Sequence, residues 1–214
     1  FRDGKAFEDN RQLAIYYYSF YDQPPKRAGF LSMHDGLETI RRRRAENREI
    51  VTILEYKHGH VGFVSQPVIL NSGAPLEVGA SYTLSQVLAA VGYFNGDRAP
   101  AFREGVLHLK DAQTDLFFVT IQKSQKDYSE ATRYEDYYIS EEKFHWQSQN
   151  KVRDDSDTAM RYRTHRESDH DILLFVREHK ALPSGITSPY RFVGNVKYLE
   201  DHGSQPVSFV WQIG

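Results

Sequence analysis

The stretch from Lys123 to Asn150 is the part of the sequence best suited to chemistry, because aromatic rings, amides, carboxylates and cations alternate along it. Such a mixture can hold a planar nucleobase, since rings stack on its faces while amides and carboxylates hydrogen-bond its edge. The predicted base-contacting residues are Tyr134, Asp136, Tyr137, Trp146, Gln147, Gln149 and Asn150. Cations beside such a pocket neutralise the flanking phosphates. The predicted phosphate-contacting residues are Lys123, Lys126 and Arg133.

The rings of this stretch also fit a protein core. The residues that could serve there as core rings with polar neighbours are Tyr134, Tyr138, Phe144 and Trp146. In that interpretation Ser140 simply caps a short helix. The run Trp146–Asn150 favours binding instead, because it carries more polar side chains than a strand core accommodates without buried partners or a ligand.

Composition limits the classes of protein that need consideration. The absence of cysteine excludes disulfides and thiolate metal sites and favours a reducing compartment, so we expect a cytoplasmic location. No window approaches eighteen uncharged apolar residues, so no membrane partner is expected. The chain starts at Phe1 without an initiator methionine, and we expect it to be part of a longer protein. A net charge of −2 gives no overall basic field, so DNA binding would need a local patch.

Metal and catalytic sites are not predicted. His165 and His170 stand five residues apart with no cysteine nearby, and the histidines are therefore interpreted as loop residues without metal or cofactor. One alternative stays open: Asp171 before an apolar strand and Glu178 with Lys180 after it faintly resemble the Mg²⁺ site of a metal-dependent nuclease.

Helical spacing dominates the first third of the chain. It predicts one helix over Asp9–Tyr21 and a second from about Asp35 to Tyr56. The run Arg41–Arg44 could contact phosphates or form a solvated face with neighbouring glutamates. A break at Asn71–Pro75 leads us to predict a helical extension over residues 1–74 and a recognition domain over residues 75–214.

Strand patterns dominate the second region, after a predicted capping box at Thr83–Gln86 that opens a short helix. The predicted strands lie near 105–109, 116–121, 172–176, 192–194 and 207–211. The second and third of these are almost continuously apolar, which predicts that both of their faces are covered. The predicted fold class is α+β, with a helical N-terminal segment followed by a twisted, partly closed sheet and short flanking helices.

Residues from about Tyr82 to Trp211 resemble a family. The runs that carry the resemblance include Asp115–Thr120, Thr132–Tyr134, Phe144–Asn150, Leu173–Glu178 and Pro189–Gly194. The family is the C-terminal domain of unknown function that follows DEAD/DEAH-type helicase modules in bacterial proteins, many of which also carry a phospholipase-D-like nuclease module.

The resemblance implies a function in DNA defence. Some family members resemble ATP-dependent type IV restriction endonucleases, so this region would be a target-recognition domain similar to SRA/PUA-like β-barrels. It would read 5-methylcytosine or 5-hydroxymethylcytosine in double-stranded DNA by flipping the base into an aromatic pocket, and it would not itself be an enzyme. Its partners would be the helicase and nuclease modules of the same polypeptide. A protein-interaction module that docks those two parts together is the alternative.

Overall fold

The computed structural model of the chain describes residues 11–59, 65–93, 102, 105–122 and 135–214. The helices in this part are α1 (Arg11–Tyr21), α2 (Met33–Arg42), α3 (Arg44–Gly59), α4 (Leu84–Ala90) and α5 (Asp157–Arg163). The strands are β1 (Gln66–Pro67), β2 (Glu77–Val78), β3 (Ser81–Tyr82), β4 (Val106–Leu109), β5 (Thr114–Thr120), β6 (Tyr137–Ser140), β7 (Lys143–Gln147), β8 (Asp171–Arg177), β9 (Tyr190–Asn195), β10 (Lys197–His202) and β11 (Ser208–Gln212). None of the described helices combines the length and apolar character needed to cross a membrane.

Two sheets form the body of the molecule. The larger has the strand order β3-β9-β8-β5-β4 and the smaller the order β10-β11-β7-β6, while β1 and β2 form a separate pair. Strands β5 and β8 run parallel, with Phe117 opposite Leu174, and the other paired strands run antiparallel. The connection from β5 to β8 includes β6, β7 and α5, so two of the four strands of the smaller sheet lie within this crossover.

One core lies between the two sheets. It joins Phe117 and Leu174 of the five-stranded sheet to Trp146 and Trp211 of the four-stranded sheet, and α5 adds Tyr162. The rings of Phe117 and Trp146 stack with their centroids 4.1 Å apart. Aromatic rings bury large areas, so this cluster is a main source of the free energy that holds the sheets together.

The opposite face of the five-stranded sheet is covered by a helical layer. Phe118 of β5 and Phe175 of β8 pack there with Val87 and Leu88 of α4. Strands β5 and β8 are therefore covered on both faces, which confirms the prediction made from their continuous apolar runs.

The helices agree with the sequence pattern in part. Thr83 and Gln86 form the predicted capping box at the start of α4, and α1 matches the predicted first helix over the described residues. The predicted single helix from Asp35 to Tyr56 is wrong, because the chain leaves helical geometry at Arg43 (φ −81°, ψ 80°) and starts α3 at the next residue. Residues 41–49 carry no large apolar side chain, so the apolar spacing could not locate the break.

The fold is mixed α/β, and within the described residues neither sheet closes on itself. The partly closed barrel expected from the sequence is therefore not seen in this part of the chain. Packing also crosses the predicted boundary after residue 74, since Leu70 and Ala74 lie in the same core as Leu88. The backbone N–H of Asn71 donates to Oδ2 of Asp171 at 2.6 Å, which further joins the two regions.

Candidate nucleic-acid interface

The predicted site residues divide into two groups. Four of them lie outside the described residues, namely Tyr134, Lys123, Lys126 and Arg133. The other six lie on or beside the hairpin of β6 and β7, namely Asp136, Tyr137, Trp146, Gln147, Gln149 and Asn150.

The alternation of β7 decides which of these side chains can reach a ligand. Successive side chains of a strand point to opposite faces, and here Phe144 and Trp146 enter the core between the sheets. Trp146 is 5% exposed and stacks on Phe117. Its predicted role as a base-stacking residue is therefore corrected: the ring is a core residue. Of the polar neighbours that suggested a binding segment, Gln147 lies on the other face of the strand, and the others follow its end.

Tyr137 is the predicted ring that remains accessible. It pairs with His145 across the hairpin, and the two rings stack at a centroid distance of 4.6 Å and an angle of 16°. The Tyr137 side chain is 47% exposed, while His145 is buried beneath it. Nδ1 of His145 lies 2.7 Å from the carbonyl oxygen of Glu135, which fixes the imidazole in the plane that the tyrosine covers.

Asp136 and Gln147 are brought together beside this stack. The backbone N–H of Gln147 donates to Oδ1 of Asp136 at 2.9 Å, and the backbone N–H of Glu135 donates to Oε1 of Gln147 at 2.8 Å. The amide of Gln147 also donates to Oγ of Ser208 on β11 at 3.4 Å. These bonds fix both side chains, so two of the predicted edge-contacting groups are preorganised next to Tyr137.

Gln149 and Asn150 follow the end of β7. Gln149 is half-buried, and its carbonyl accepts the backbone N–H of Val152 in a turn. Asn150 is exposed in that turn. They lie two and three residues beyond Gln147, outside the strand that carries the stack.

A second surface feature is the hairpin between β8 and β9. The connection from β8 to β9 is a hairpin closed by the hydrogen bond from the backbone N–H of Leu182 to the carbonyl of Ile186, and both side chains are exposed. Gln122 bonds Glu178 at the base of this hairpin. At the other end of the intervening chain, Glu135 bonds Gln147. Residues 123–134, which contain the predicted phosphate contacts, thus connect the hairpin base to the Tyr137 site.

A separate polar cluster surrounds Asp115, and the sequence analysis did not predict it. Asp115 of β5 is completely buried, and the guanidinium of Arg161 donates to it through Nε (2.8 Å) and Nη2 (3.2 Å). Nε2 of His170 lies 2.8 Å from Oδ2 of Asp115, and Nδ1 of His108 lies 3.2 Å from Oδ1. Burial acts to raise the pKa of Asp115, but the hydrogen bonds from His170 and Arg161 outweigh it and hold the pKa below its usual range.

The topology explains why the cluster was missed. His108 and Asp115 are opposite each other in the β4–β5 register, and His170 directly precedes β8, which lies parallel to β5. These neighbours follow from the strand order, which the sequence does not reveal. One signal was available: Asp115 stands inside an otherwise apolar buried strand, where a carboxylate requires partners.

The nuclease interpretation of Asp171 and Glu178 conflicts with the geometry. Asp171 starts β8 and Glu178 directly follows its end, so at about 3.3 Å per residue they are about 23 Å apart. Asp171 accepts hydrogen bonds from Asn71 and Asn195, while Glu178 accepts from Gln122. One metal ion cannot contact both carboxylates.

Comparison with known proteins gives one result. Residues 76–211 match the family described as "Domain of unknown function (DUF3427)", a range that covers more than half of the chain. No curated protein matches the sequence.

Proposed function

Since this chain belongs to the DUF3427 family of domains of unknown function, we propose that its C-terminal region is a DNA-recognition domain rather than an enzyme. It reads 5-methylcytosine or 5-hydroxymethylcytosine in double-stranded DNA by flipping the base out of the helix. The observation that carries the proposal is the exposed Tyr137 ring, stacked on His145, with Asp136 and Gln147 fixed beside it. The resemblance described from the sequence supports the same conclusion.

Stacking supplies the first part of the binding energy. Tyr137 covers His145 and still leaves nearly half of its side chain exposed, so a base can reach the ring without unfolding of the hairpin. Stacking on an aromatic ring contributes about 1–3 kcal/mol per base, which offsets much of the few kcal/mol that extrusion of a base costs.

Hydrogen bonds supply the second part. A carboxylate offers up to about four acceptor positions, and Asp136, which is 7% exposed and bonded by Gln147, is the group proposed to accept from the amino group of cytosine. Burial of the 5-methyl group contributes only about 0.8 kcal/mol of binding free energy, which corresponds to a few-fold change in affinity. Strong preference for a modified base therefore needs a polar contact or a clash with the unmodified one.

The remaining parts of the proposal concern the chain around this site. Lys123, Lys126 and Arg133 neutralise the phosphates beside the flipped base, as their positive charges allow. The whole protein is a cytoplasmic DNA-defence enzyme in which helicase and nuclease modules act on the sites that this domain selects. In that assembly the sheets form part of an SRA/PUA-like, partly closed barrel.

The test is binding of the 214-residue chain to duplexes that contain cytosine, 5-methylcytosine or 5-hydroxymethylcytosine at one position, at matched salt. The wild-type chain should prefer a modified duplex. Tyr137→Ala should weaken binding to that duplex by roughly 5- to 150-fold, the equivalent of about 1–3 kcal/mol of lost stacking. Binding to the unmodified duplex should change little.

Tyr93→Ala is the matched control. Tyr93 is also partly exposed, but it follows α4 in the helical layer, on the other side of the five-stranded sheet. Equal loss on both duplexes with Tyr137→Ala, or equal effects of the two variants, would contradict the proposal.

One observation favours the docking function as a second candidate. Helix α3 exposes Val51, Ile53 and Tyr56, which would suit a protein partner such as the helicase or nuclease part. Absence of binding to all three duplexes by the wild-type chain would support docking over DNA recognition.

A further inference from the structure

We propose that His108, Asp115 and His170 form a binding site for a divalent transition-metal ion, with zinc as the expected occupant. One potential ligand atom from each residue lies within 4.8 Å of the other two. Two imidazoles and one carboxylate are a donor set that suits Zn²⁺ and related ions rather than Mg²⁺ or Ca²⁺. The proposal is independent of DNA recognition, because it involves none of the residues of the Tyr137 site.

The spacing of the ligand atoms fits a bound ion. Zinc bonds nitrogen and oxygen at about 2.0–2.2 Å, so ligand atoms around a tetrahedral ion are about 3.3–3.6 Å apart. Nδ1 of His108 lies 3.2 Å from Oδ1 of Asp115, and Nε2 of His170 lies 2.8 Å from Oδ2. The two contacts end on different oxygens of Asp115, so the side chains must shift before all three residues bond one ion.

The backbone that carries the site is firmly held. His108 and Asp115 face each other in a regular antiparallel pair. The carbonyl oxygen of His170 lies 2.9 Å from Nδ1 of His165, and the next residue, Asp171, is bonded by Asn71 and Asn195. Such support around a metal site keeps the ligands in place before the ion arrives.

The site is open on one side. Asp115 and His170 are buried, whereas the side chain of His108 is 34% exposed. An ion can enter past His108, and water can complete its coordination there, as in zinc sites with three protein ligands.

Arg161 both supports and weakens the site. Its guanidinium bonds both oxygens of Asp115 and so orients the carboxylate, as hydrogen-bonding partners of metal ligands usually do. Its positive charge also repels a cation at this short distance. We therefore expect the ion to bind more weakly than it would at the same three ligands without the arginine.

The experiment is a calorimetric titration of the chelator-treated 214-residue chain with Zn²⁺, repeated with Co²⁺, whose visible spectrum reports the coordination geometry. The wild-type chain should bind one ion at this site and gain thermal stability from it. Loss of a residue that only hydrogen-bonds a metal ligand weakens metal binding about 10- to 100-fold. His108→Ala removes a ligand itself and should therefore weaken binding by more than that. Because His108 is partly exposed, this variant should keep its fold, which circular dichroism verifies.

The matched control is His179→Ala, which removes an exposed histidine from the β8–β9 hairpin and should leave binding unchanged. No binding by the wild-type chain would overturn the proposal. Equal binding by wild type and His108→Ala would also overturn it, because the ion would then sit on other surface groups.

Discussion

Asp201 on β10 shows how a single carboxylate is kept ionised by the donors around it. Arg163 of α5 donates to both oxygens, at 2.8 Å and 2.6 Å, and the hydroxyl of Tyr198 donates to Oδ1 at 2.6 Å. The hydrogen bonds from Arg163 lower the pKa of Asp201, and partial burial opposes this effect without cancelling it. Such bidentate, charge-assisted bonds are the strong ones among protein hydrogen bonds.

We predict that Asp201→Asn lowers the free energy of unfolding by about 1.5–3 kcal/mol at pH 7, as expected for loss of hydrogen bonds to a charged group. The control Asp155→Asn removes an ion pair in which both partners are largely exposed and should cost at most about 1 kcal/mol. Because the pKa of Asp201 is lower in the folded state, its contribution is complete above the unfolded value of about 3.9 and is lost as the pH falls through the folded value. Urea unfolding of wild type and variant between pH 7 and pH 2 checks this, and a difference that persists at the acid end would contradict it.

Trp146 and Tyr137 belong to the same hairpin, but Trp146 lies in the core and Tyr137 lies in the candidate site. Trp146→Phe should lower the free energy of unfolding by about 1–3 kcal/mol, because the smaller ring leaves a gap beside Phe117. The ratio of affinities for modified and unmodified duplexes should stay unchanged, since the ring does not face solvent. Urea unfolding and duplex binding measure the two effects. A selective loss of binding to the modified duplex would show that Trp146 contacts the base after all.

At the scale of elements, the β8–β9 hairpin has a shape that suits insertion into DNA. Its backbone is ordered by the bonds Leu182 to Ile186 and Ser188 to Lys180, yet its apolar tip is exposed. Proteins that distort duplexes often insert such apolar side chains between base steps. The proposed base flipping therefore predicts that this tip fills the space that the extruded base leaves.

Replacing both Leu182 and Ile186 with serine should weaken binding to a fully paired modified duplex. The loss should be smaller when the modified cytosine stands in a mismatch, because extrusion of an unpaired base costs less. Anisotropy titrations with the two duplexes measure the difference. The same loss on both duplexes would show that the hairpin does not assist extrusion.

The strands differ in how readily the sequence reveals them. Strands β5 and β8 were predicted because burial on both faces requires a continuous apolar run. Strand β10 was missed because most of its residues are exposed and polar. Strand β7 was missed because residues 146–150 were interpreted as one binding segment, although Phe144 and Trp146 follow the period of a strand that ends at Gln147.

The candidate sites also differ in how much of them the sequence could predict. Tyr137, Asp136 and Gln147 are near one another in one hairpin, so local sequence was sufficient to predict that they lie together. Arg161 and His170 reach Asp115 only because α5 and β8 pack beside β5. Sequence patterns specify the elements, but long-range contacts of this kind depend on sheet order and crossover.

At the scale of the whole molecule, the helical layer and the segment that follows it are parts of one packed structure. Tyr17 and Tyr18 of α1 are buried against Ala89 of α4. Arg11 donates to the carbonyl of Ser72. Burial raises the pKa of Tyr17 to about 12, consistent with a phenol removed from water. The break at residues 71–75 is thus a turn across the core surface.

Neighbouring residues of this segment allow a matched test of that conclusion. Leu70 is 5% exposed and packs in the core with Leu88 and Phe175, whereas Ile69 is 98% exposed. Leu70→Ala should lower the free energy of unfolding of the 214-residue chain by about 2–5 kcal/mol, because it removes buried methyl groups and leaves a cavity. Ile69→Ala should change it by no more than about 0.5 kcal/mol. Urea unfolding followed through tryptophan fluorescence reports on the core between the sheets, where both Trp146 and Trp211 lie. A loss for Leu70→Ala as small as that for Ile69→Ala would mean that residues 65–74 are a separable extension, and that the recognition domain begins after them.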